Sequence, residues 1–183
     1  MAYRYIVLVD APTRPGSADE ATEDTRFAYL GLSTCIRLGR SAIHLSADTP
    51  FCQLADGSVV VGHLFARTGV TLSDVLDDAT CSSSKALRSA ILERCWGDYL
   101  LLQREEETGR LSTFRDPSGG VPCVYRVDDG STFITSDISL AIALGLYTRQ
   151  VDWDFIAHWL SFPTTRRQGL DWRGSASSRP VAH

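Results

Sequence analysis

The side chains best suited to nucleophilic chemistry are a few thiols, one hydroxyl and two imidazoles in the first third of the chain. Cys35, Cys52 and Ser46 could attack a substrate if His44 or His63 served as the base. Their spacing matches no triad-like pattern, and lone histidines beside strands are more often structural. A hydrolase built on these residues is therefore the weakest of the hypotheses kept here.

The cysteine pattern predicts neither a metal centre nor a disulfide framework. The five cysteines are odd in number, scattered along the chain and never spaced as Cys-x-x-Cys. Structural zinc sites need closely paired ligands, and disulfide-rich domains carry an even number of thiols at short spacings. Reduced, mostly buried thiols are the expectation, with no metal and no cofactor in this chain.

Composition bounds the class of protein and its partners. The 183 residues are 44% apolar and 22% charged, which is typical of one soluble globular domain. A formal charge of -4 argues against nucleic acid, because phosphate contacts need a clustered basic surface. The apolar runs have strand length and no basic leader precedes them, so neither a membrane span nor a signal peptide is predicted. A cytoplasmic protein is expected.

Hydrophobic periodicity predicts an α+β fold in which antiparallel strands position these groups. A buried strand is predicted at residues 4–10, before a polar loop at residues 11–24. An Asp-Gly pair at residues 56–57 indicates a tight hairpin. The short β-type runs of the first third are at residues 28–32, 34–38, 42–46 and 59–65.

The second half of the chain mixes helices with hairpins. Apolar residues at helical spacing behind a serine cluster predict a helix at residues 83–96. Two hairpins and two further helices follow it, which indicates antiparallel sheets with segregated helices. The hairpins pair residues 99–103 with 111–115 and 123–127 with 132–135, and the helices are at residues 138–146 and 152–160.

An ordered motif runs from the end of the first predicted helix to the start of the next. Asp116 before Pro117 favours an extended residue ahead of a turn, and Gly119 permits a positive φ. The motif ends at Ser136 and Asp137, before the predicted helix at residues 138–146. Its members are Gly97, Asp98, Arg115, Asp116, Pro117, Gly119, Pro122, Tyr125, Ser136 and Asp137.

This ordered set resembles the second half of the class II glutamine amidotransferase domain of asparagine synthetases. The resemblance implies an Ntn-hydrolase-like αββα sandwich of two antiparallel sheets with flanking helices. It also implies a glutaminase-like domain at residues 1–147, with residues 148–183 beginning a linker toward an ATP-pyrophosphatase synthetase domain that this chain lacks. ATP and Mg are expected only for that missing domain. The fragment Ser118, Gly119 and Gly120 lies inside the hairpin motif and is not interpreted as a nucleotide loop.

The chain departs from the amidotransferase pattern where chemistry would occur. The family's nucleophile is a cysteine directly after the initiator methionine, and Ala2 stands there. Val61 takes the place of an asparagine that helps to form the oxyanion hole, and His63 takes the place of a glutamate. Gly62 matches the family's glycine, so Gly62 and His63 remain candidates for substrate binding. Glutamine hydrolysis is not expected, and the chain alone is interpreted as a pseudoenzyme.

The chain resembles the cyclases of lasso-peptide biosynthesis, among which asparagine-synthetase-like proteins without the N-terminal cysteine occur. The residues that carry this resemblance are Ala2, the altered stretch at residues 62–67 and the stretch at residues 162–172. Such ligases adenylate a side-chain carboxylate of a precursor peptide and close a macrolactam on its N-terminal amine, and they need no ammonia. Expected partners are a precursor peptide or a separate synthetase or protease. The alternatives are a truncated relative of a conventional asparagine synthetase and a stand-alone module that binds a peptide or protein. If the domain packs on a partner, the candidates for an exposed apolar face are Trp153, Phe155, Trp159 and Phe162, and burial within the domain is the alternative for at least half of them.

Overall fold

The computed structural model describes residues 3–10, 20–67, 71–80, 83–105, 107–128 and 132–161. Its helices are α1 (Glu20–Tyr29), α2 (Leu72–Thr80), α3 (Ser84–Arg94), α4 (Ile138–Ala143) and α5 (Trp153–Ser161). Its strands are β1 (Tyr5–Val9), β2 (Thr34–Leu38), β3 (Ser41–Leu45), β4 (Phe51–Gln53), β5 (Val59–Gly62), β6 (Phe65–Ala66), β7 (Cys95–Trp96), β8 (Tyr99–Arg104), β9 (Leu111–Arg115), β10 (Val124–Arg126) and β11 (Thr132–Thr135).

Two antiparallel sheets organise these strands. The first sheet has five strands in the order β10-β11-β1-β3-β2, and the second has four in the order β4-β5-β8-β9. The short strands β6 and β7 pair separately. In each sheet the central strands come from distant parts of the sequence, so the N-terminal β1 lies between β3 and the late strand β11.

Side chains alternate between the two faces of each sheet, and this alternation produces three cores. Val59 and Val61 of β5 pack between the two sheets, whereas Val60 faces α2 and α3. In the other sheet, Tyr5 of β1 enters the inter-sheet core and Ile6 faces α1 and α4. Helices therefore cover the outer face of each sheet, and the expected mixture of antiparallel sheets and segregated helices is confirmed.

Most predicted strands are present, but the predictions for the segments that form α1 and α2 were wrong. Residues 20–24 were expected in a loop and residues 28–32 in a strand, whereas α1 spans Glu20–Tyr29 and places Phe27 against the first sheet. Helix α2 was not predicted, whereas the helix expected at residues 83–96 is confirmed as α3, Ser84–Arg94. Short apolar runs fit a buried helix as well as a strand, so periodicity alone does not separate them.

Helix α5 contributes no buried residue to the described part of the chain. Trp153 and Trp159 are 71% and 53% exposed, and Phe155 is half-buried. Phe162 lies outside the described residues, as do residues 11–19 of the predicted loop and the rest of the predicted linker beyond residue 161. Among the helices that the structure describes, none is long and apolar enough to cross a membrane.

Candidate functional site

The candidate site lies at the start of β1, where Tyr3 meets three turns from distant parts of the sequence. The turn after β5 carries His63, the turn after β7 carries Asp98, and the turn after β9 carries Asp116 and Ser118. The backbone N–H of His63 donates to the Asp98 carbonyl at 2.8 Å. The rings of Tyr3 and His63 meet edge to face, with their centroids 6.5 Å apart. We call this group the β1 cleft.

Two glycines interlock the turns that form the β1 cleft. Gly62 has a φ of 110°, and a Cβ added there would lie 2.2 Å from the Asp98 carbonyl oxygen. Gly97 has a φ of 139°, and its added Cβ would lie 2.2 Å from the His63 carbonyl oxygen. Both separations are far below van der Waals contact, and both φ values favour glycine. The close backbone approach that holds His63 beside Asp98 therefore requires both glycines.

Two carboxylates of the β1 cleft meet at one hydroxyl. The Ser118 Oγ lies 3.1 Å from Asp98 Oδ1 and also makes a shorter hydrogen bond to Asp116 Oδ1. Asp116 is only 5% exposed, and its Oδ2 is buried without a hydrogen-bond partner in the described residues. Asp98 is exposed. The Asp98 carboxylate is therefore the one that an incoming cation can reach, and the Asp116 carboxylate holds the turn behind it.

The pKa values in the β1 cleft keep the carboxylate charged and the phenol neutral. Burial raises the pKa of Asp116, but hydrogen bonds from the Ser118 hydroxyl and from the backbone amides of Ser118, Gly120 and Gly119 place it below its ordinary value. Burial raises the pKa of Tyr3 above its ordinary value, and the negative charges of Asp98 and Asp116 raise it further. The cleft is thus anionic at neutral pH and suits an ammonium or guanidinium group.

An exposed row of aromatic rings borders this anionic cleft. His63 stacks on Phe65 with ring centroids 6.1 Å apart, and Phe65 stacks on Trp96 at 4.8 Å. Phe65 is 47% exposed and Trp96 is 59% exposed. Stacked rings of this size favour planar, apolar or cationic groups. The row therefore places an exposed aromatic surface beside the Asp98 carboxylate.

The later part of the sequence motif attaches β1 to the neighbouring hairpin. The Tyr5 hydroxyl donates to the Pro122 carbonyl at 2.7 Å. The Tyr5 N–H donates to Ser136 Oγ at 3.0 Å, and the Ser136 N–H donates to the Tyr5 carbonyl at 3.1 Å. These bonds join residues that lie more than a hundred positions apart. Pro122 and Ser136 thus hold the first strand in place.

The remaining motif residues stabilise turns and a helix start. The Arg115 guanidinium donates to the Gly119 carbonyl at 2.5 Å and closes the turn that contains Pro117. Tyr125 lies opposite Ile134 in the β10–β11 ladder. The Asp137 carboxylate accepts from the Ser139 N–H at 2.9 Å and caps α4. Of the motif, only Gly97, Asp98 and Asp116 line the β1 cleft.

The alternative nucleophiles lie elsewhere. Cys35 faces His44 across the β2–β3 ladder, and the His44 ring is buried and stacked on Phe27 at 3.6 Å. Cys52 is exposed on β4. The Ser46 hydroxyl is hydrogen-bonded to the Thr49 hydroxyl at 2.8 Å. The structure brings Cys35 and His44 together but places neither in the β1 cleft with His63.

Ala2 and Val61 are the residues that the amidotransferase resemblance assigns to the nucleophile and oxyanion positions, and only Val61 is among the described residues. Ala2 lies outside the described residues, directly before Tyr3 in the sequence. Val61 is fully buried and packs in the inter-sheet core, so it offers no hydrogen-bond donor to the β1 cleft. Within the described ranges, no group of three or more His, Cys, Asp or Glu side chains could hold a metal ion.

No protein-family model matches this chain, and no curated protein matches it.

The Asp137 cap gives stability a dependence on pH. Hydrogen bonds from the Ser139 hydroxyl and backbone N–H lower the pKa of Asp137 below its ordinary value of 3.8. A lowered folded-state pKa contributes stability that is present above about pH 4 and is lost as the pH falls through the folded-state pKa. We therefore expect the free energy of unfolding, measured by urea titration between about pH 5 and pH 2, to fall less steeply in Asp137→Asn than in the wild type. Ser139→Ala keeps the backbone bond and should give an intermediate slope, and identical slopes in all three proteins would contradict this assignment.

Proposed function

We propose that this chain is a glutaminase-like portion of an ATP-dependent amide ligase related to asparagine synthase (glutamine-hydrolysing). On this proposal it lacks glutaminase activity of its own. Its role is structural, or it recognises a peptide substrate during macrolactam formation in lasso-peptide biosynthesis. ATP and Mg would bind to the separate synthetase domain of such a ligase and not to this chain.

The layered architecture supports the amidotransferase part of the proposal. Two antiparallel sheets face each other across one core, and helices cover their outer faces. That order is what an Ntn-hydrolase-like αββα sandwich requires. Because unrelated functions share folds, the layered architecture supports only the fold family, and support for the activity has to come from the residues of the site.

The observation that carries the proposal is the convergence at the start of β1. In the amidotransferase family the nucleophile directly precedes the first strand, and here Tyr3 enters a cleft formed by the turns of Gly62, Gly97 and Asp116. The cleft retains an anionic lining while the residue at the nucleophile position is Ala2. A side chain without a nucleophilic atom cannot form the covalent intermediate of glutamine hydrolysis.

Peptide recognition is the role that the remaining groups of the β1 cleft support. The exposed Asp98 carboxylate can pair with a peptide's N-terminal ammonium group. The adjoining rings of Phe65 and Trp96 can pack on the side chains that follow it. The same two features would serve a stand-alone peptide-binding module, which is the second candidate function.

A binding experiment tests peptide recognition. The probe is a glycine-first nonapeptide that contains one aspartate and carries a fluorescent label at its C-terminus. We expect it to bind the chain, and we expect N-acetylation of the probe to weaken binding at least about tenfold because the ammonium charge is lost. Fluorescence anisotropy measures both affinities.

Matched protein variants locate the contact. Asp98→Asn should reproduce the effect of acetylation and should bind the free and acetylated probes alike. Asp56→Asn removes a carboxylate from the β4–β5 turn, at the opposite end of β5 from Gly62, and should leave the preference unchanged. Equal binding of the two probes to the wild type would refute amine recognition in the β1 cleft.

A further inference from the structure

The flank of the sandwich between β9 and the β10–β11 hairpin is open. A cleft of about 550 Å³ lies there, within the roughly 300–1,000 Å³ range of ligand sites. Its walls are mostly apolar and include Val9, Leu111, Phe133 and Ile134. It contains neither Tyr3, His63 nor Asp98 among its lining residues. This second cavity, the flank cleft, is distinct from the β1 cleft.

Strand β9 presents an unpaired backbone edge to the flank cleft. The order of the four-stranded sheet places β9 at its end, and within the described residues no strand pairs with its outer side. The Glu105 N–H donates to the Arg110 carbonyl, and the Asp116 N–H donates to the Tyr99 carbonyl. These bonds make the residue pairs just beyond each end of the β8–β9 ladder hydrogen-bonded pairs. Because hydrogen-bonded and non-hydrogen-bonded pairs alternate along an antiparallel ladder, every pair between them can be assigned to one type.

That register determines which β9 groups point outward. Leu111, Thr113 and Arg115 fall at the non-hydrogen-bonded positions opposite β8. Their N–H and C=O groups therefore point away from β8, toward the free edge. Their side chains also line the flank cleft. One strand thus offers a ladder of backbone groups and, on the same three residues, a wall of the cavity.

The charge of the flank cleft favours an acidic ligand. Among the described residues, its lining contains Arg115 and Arg126 and no carboxylate. Arg126 forms an ion pair with Asp128, whereas the hydrogen bond described for Arg115 goes to the Gly119 carbonyl. A guanidinium has five N–H donors, so Arg115 retains donors for a carboxylate. The charged side chains described in this mostly apolar lining are therefore cationic, although the chain as a whole carries a formal charge of -4.

We propose that the flank cleft binds an extended peptide segment that adds to β9 as a fifth strand. Backbone hydrogen bonds to Leu111, Thr113 and Arg115 would supply affinity, and alternate apolar side chains would enter the cleft. An acidic side chain of the peptide pairs with Arg115. This inference does not depend on the proposed function, because neither the amidotransferase resemblance nor the β1 cleft enters it.

The test uses a fluorescein-labelled heptapeptide of alternating valine and threonine with one glutamate among the cleft-facing residues. Its partner probe has the same sequence but is N-methylated at the residues that face β9. We expect the unmodified probe to bind and methylation to weaken binding at least about tenfold, because it removes ladder donors and leaves the side chains unchanged. Replacing the glutamate by glutamine should weaken binding of the peptide to the wild type and to the control variant Arg40→Gln, which changes an exposed arginine in the β2–β3 turn. The same replacement should leave the affinity for the Arg115→Gln variant unchanged.

Amide hydrogen exchange gives a second, independent readout. On binding, the amides of Leu111, Thr113 and Arg115 should gain protection, while those of Ser112 and Phe114, already bonded to β8, should change little. Failure of the unmodified probe to bind at millimolar concentration would overturn the proposal. Equal binding of the methylated probe would also overturn it, because the backbone hydrogen bonds to β9 would then contribute nothing. A third contrary result is displacement of the probe by octanoate with no protection of the β9 amides, which would show a site for small apolar molecules.

Discussion

Replacing Tyr5 by alanine is expected to lower the free energy of unfolding by about 3–5 kcal/mol, the range found when a large buried aromatic side chain is removed. Tyr5 is fully buried between the two sheets, and its hydroxyl donates to the Pro122 carbonyl at 2.7 Å. The substitution therefore leaves a large cavity and an unpaired carbonyl at once. Urea denaturation followed by tryptophan fluorescence measures the loss.

Two further variants separate the contributions at Tyr5. Tyr5→Phe keeps the ring but removes the hydroxyl, which donates to the Pro122 carbonyl and also contacts the Cys123 thiol, so we expect a loss of about 1–3 kcal/mol. Tyr29→Ala truncates a tyrosine that is 90% exposed at the end of α1, and its effect should stay within about 0.5 kcal/mol. A Tyr5→Phe variant as stable as the wild type would contradict the claim that the hairpin motif holds β1 through this bond.

Substituting alanine for Gly62 is the second change with a large expected effect, about 2–5 kcal/mol of unfolding free energy. A positive φ costs an L-residue about 1–2 kcal/mol, and inserting a methyl group into a packed site costs about 1–3 kcal/mol more. The conformational penalty applies because Gly62 has a φ of 110°. The steric penalty applies because the new Cβ would lie 2.2 Å from the Asp98 carbonyl oxygen and 2.9 Å from Val121 Cγ2. Thermal and urea unfolding of the purified variant measure the change.

Gly57→Ala is the matched control for Gly62→Ala. Gly57 also has a positive φ, 84°, but an added Cβ there meets nothing within 4 Å. Only the conformational penalty of about 1–2 kcal/mol should remain. Equal losses at the two glycines would show that the turns of His63 and Asp98 are not interlocked, and the geometry of the β1 cleft would have to be abandoned.

Alternation of apolar side chains made the strands predictable from the sequence. In β5, residues 59 and 61 face one core and residue 60 faces another, and such period-two patterns identify a strand whatever its neighbours. The Asp-Gly pair at residues 56–57 also predicted the β4–β5 hairpin correctly. Helix α1 was missed because its few apolar residues form only a weak helical pattern. Helix α2 is short, and the helical spacing of Leu72, Val75 and Leu76 was overlooked. Their packing against a sheet decides their structure.

The β1 cleft was predictable only in part. Gly97, Asp98 and Asp116 were identified as members of one ordered motif, whereas Gly62 and His63 were identified separately. Their convergence depends on the crossing of strands from both halves of the chain, which no local pattern encodes. The aromatic row beside the cleft was missed for the same reason, since its members lie on β6 and β7, far apart in sequence.

Incubation of the purified chain with L-glutamine, followed by quantification of glutamate, tests whether the chain lacks glutaminase activity, as proposed. We expect no glutamate above a protein-free control, because Ala2 supplies no nucleophile and Val61 supplies no oxyanion donor. Glutamate release that scales with the concentration of the chain and disappears in Asp98→Asn would refute the proposal. It would show that the β1 cleft hydrolyses glutamine by another route.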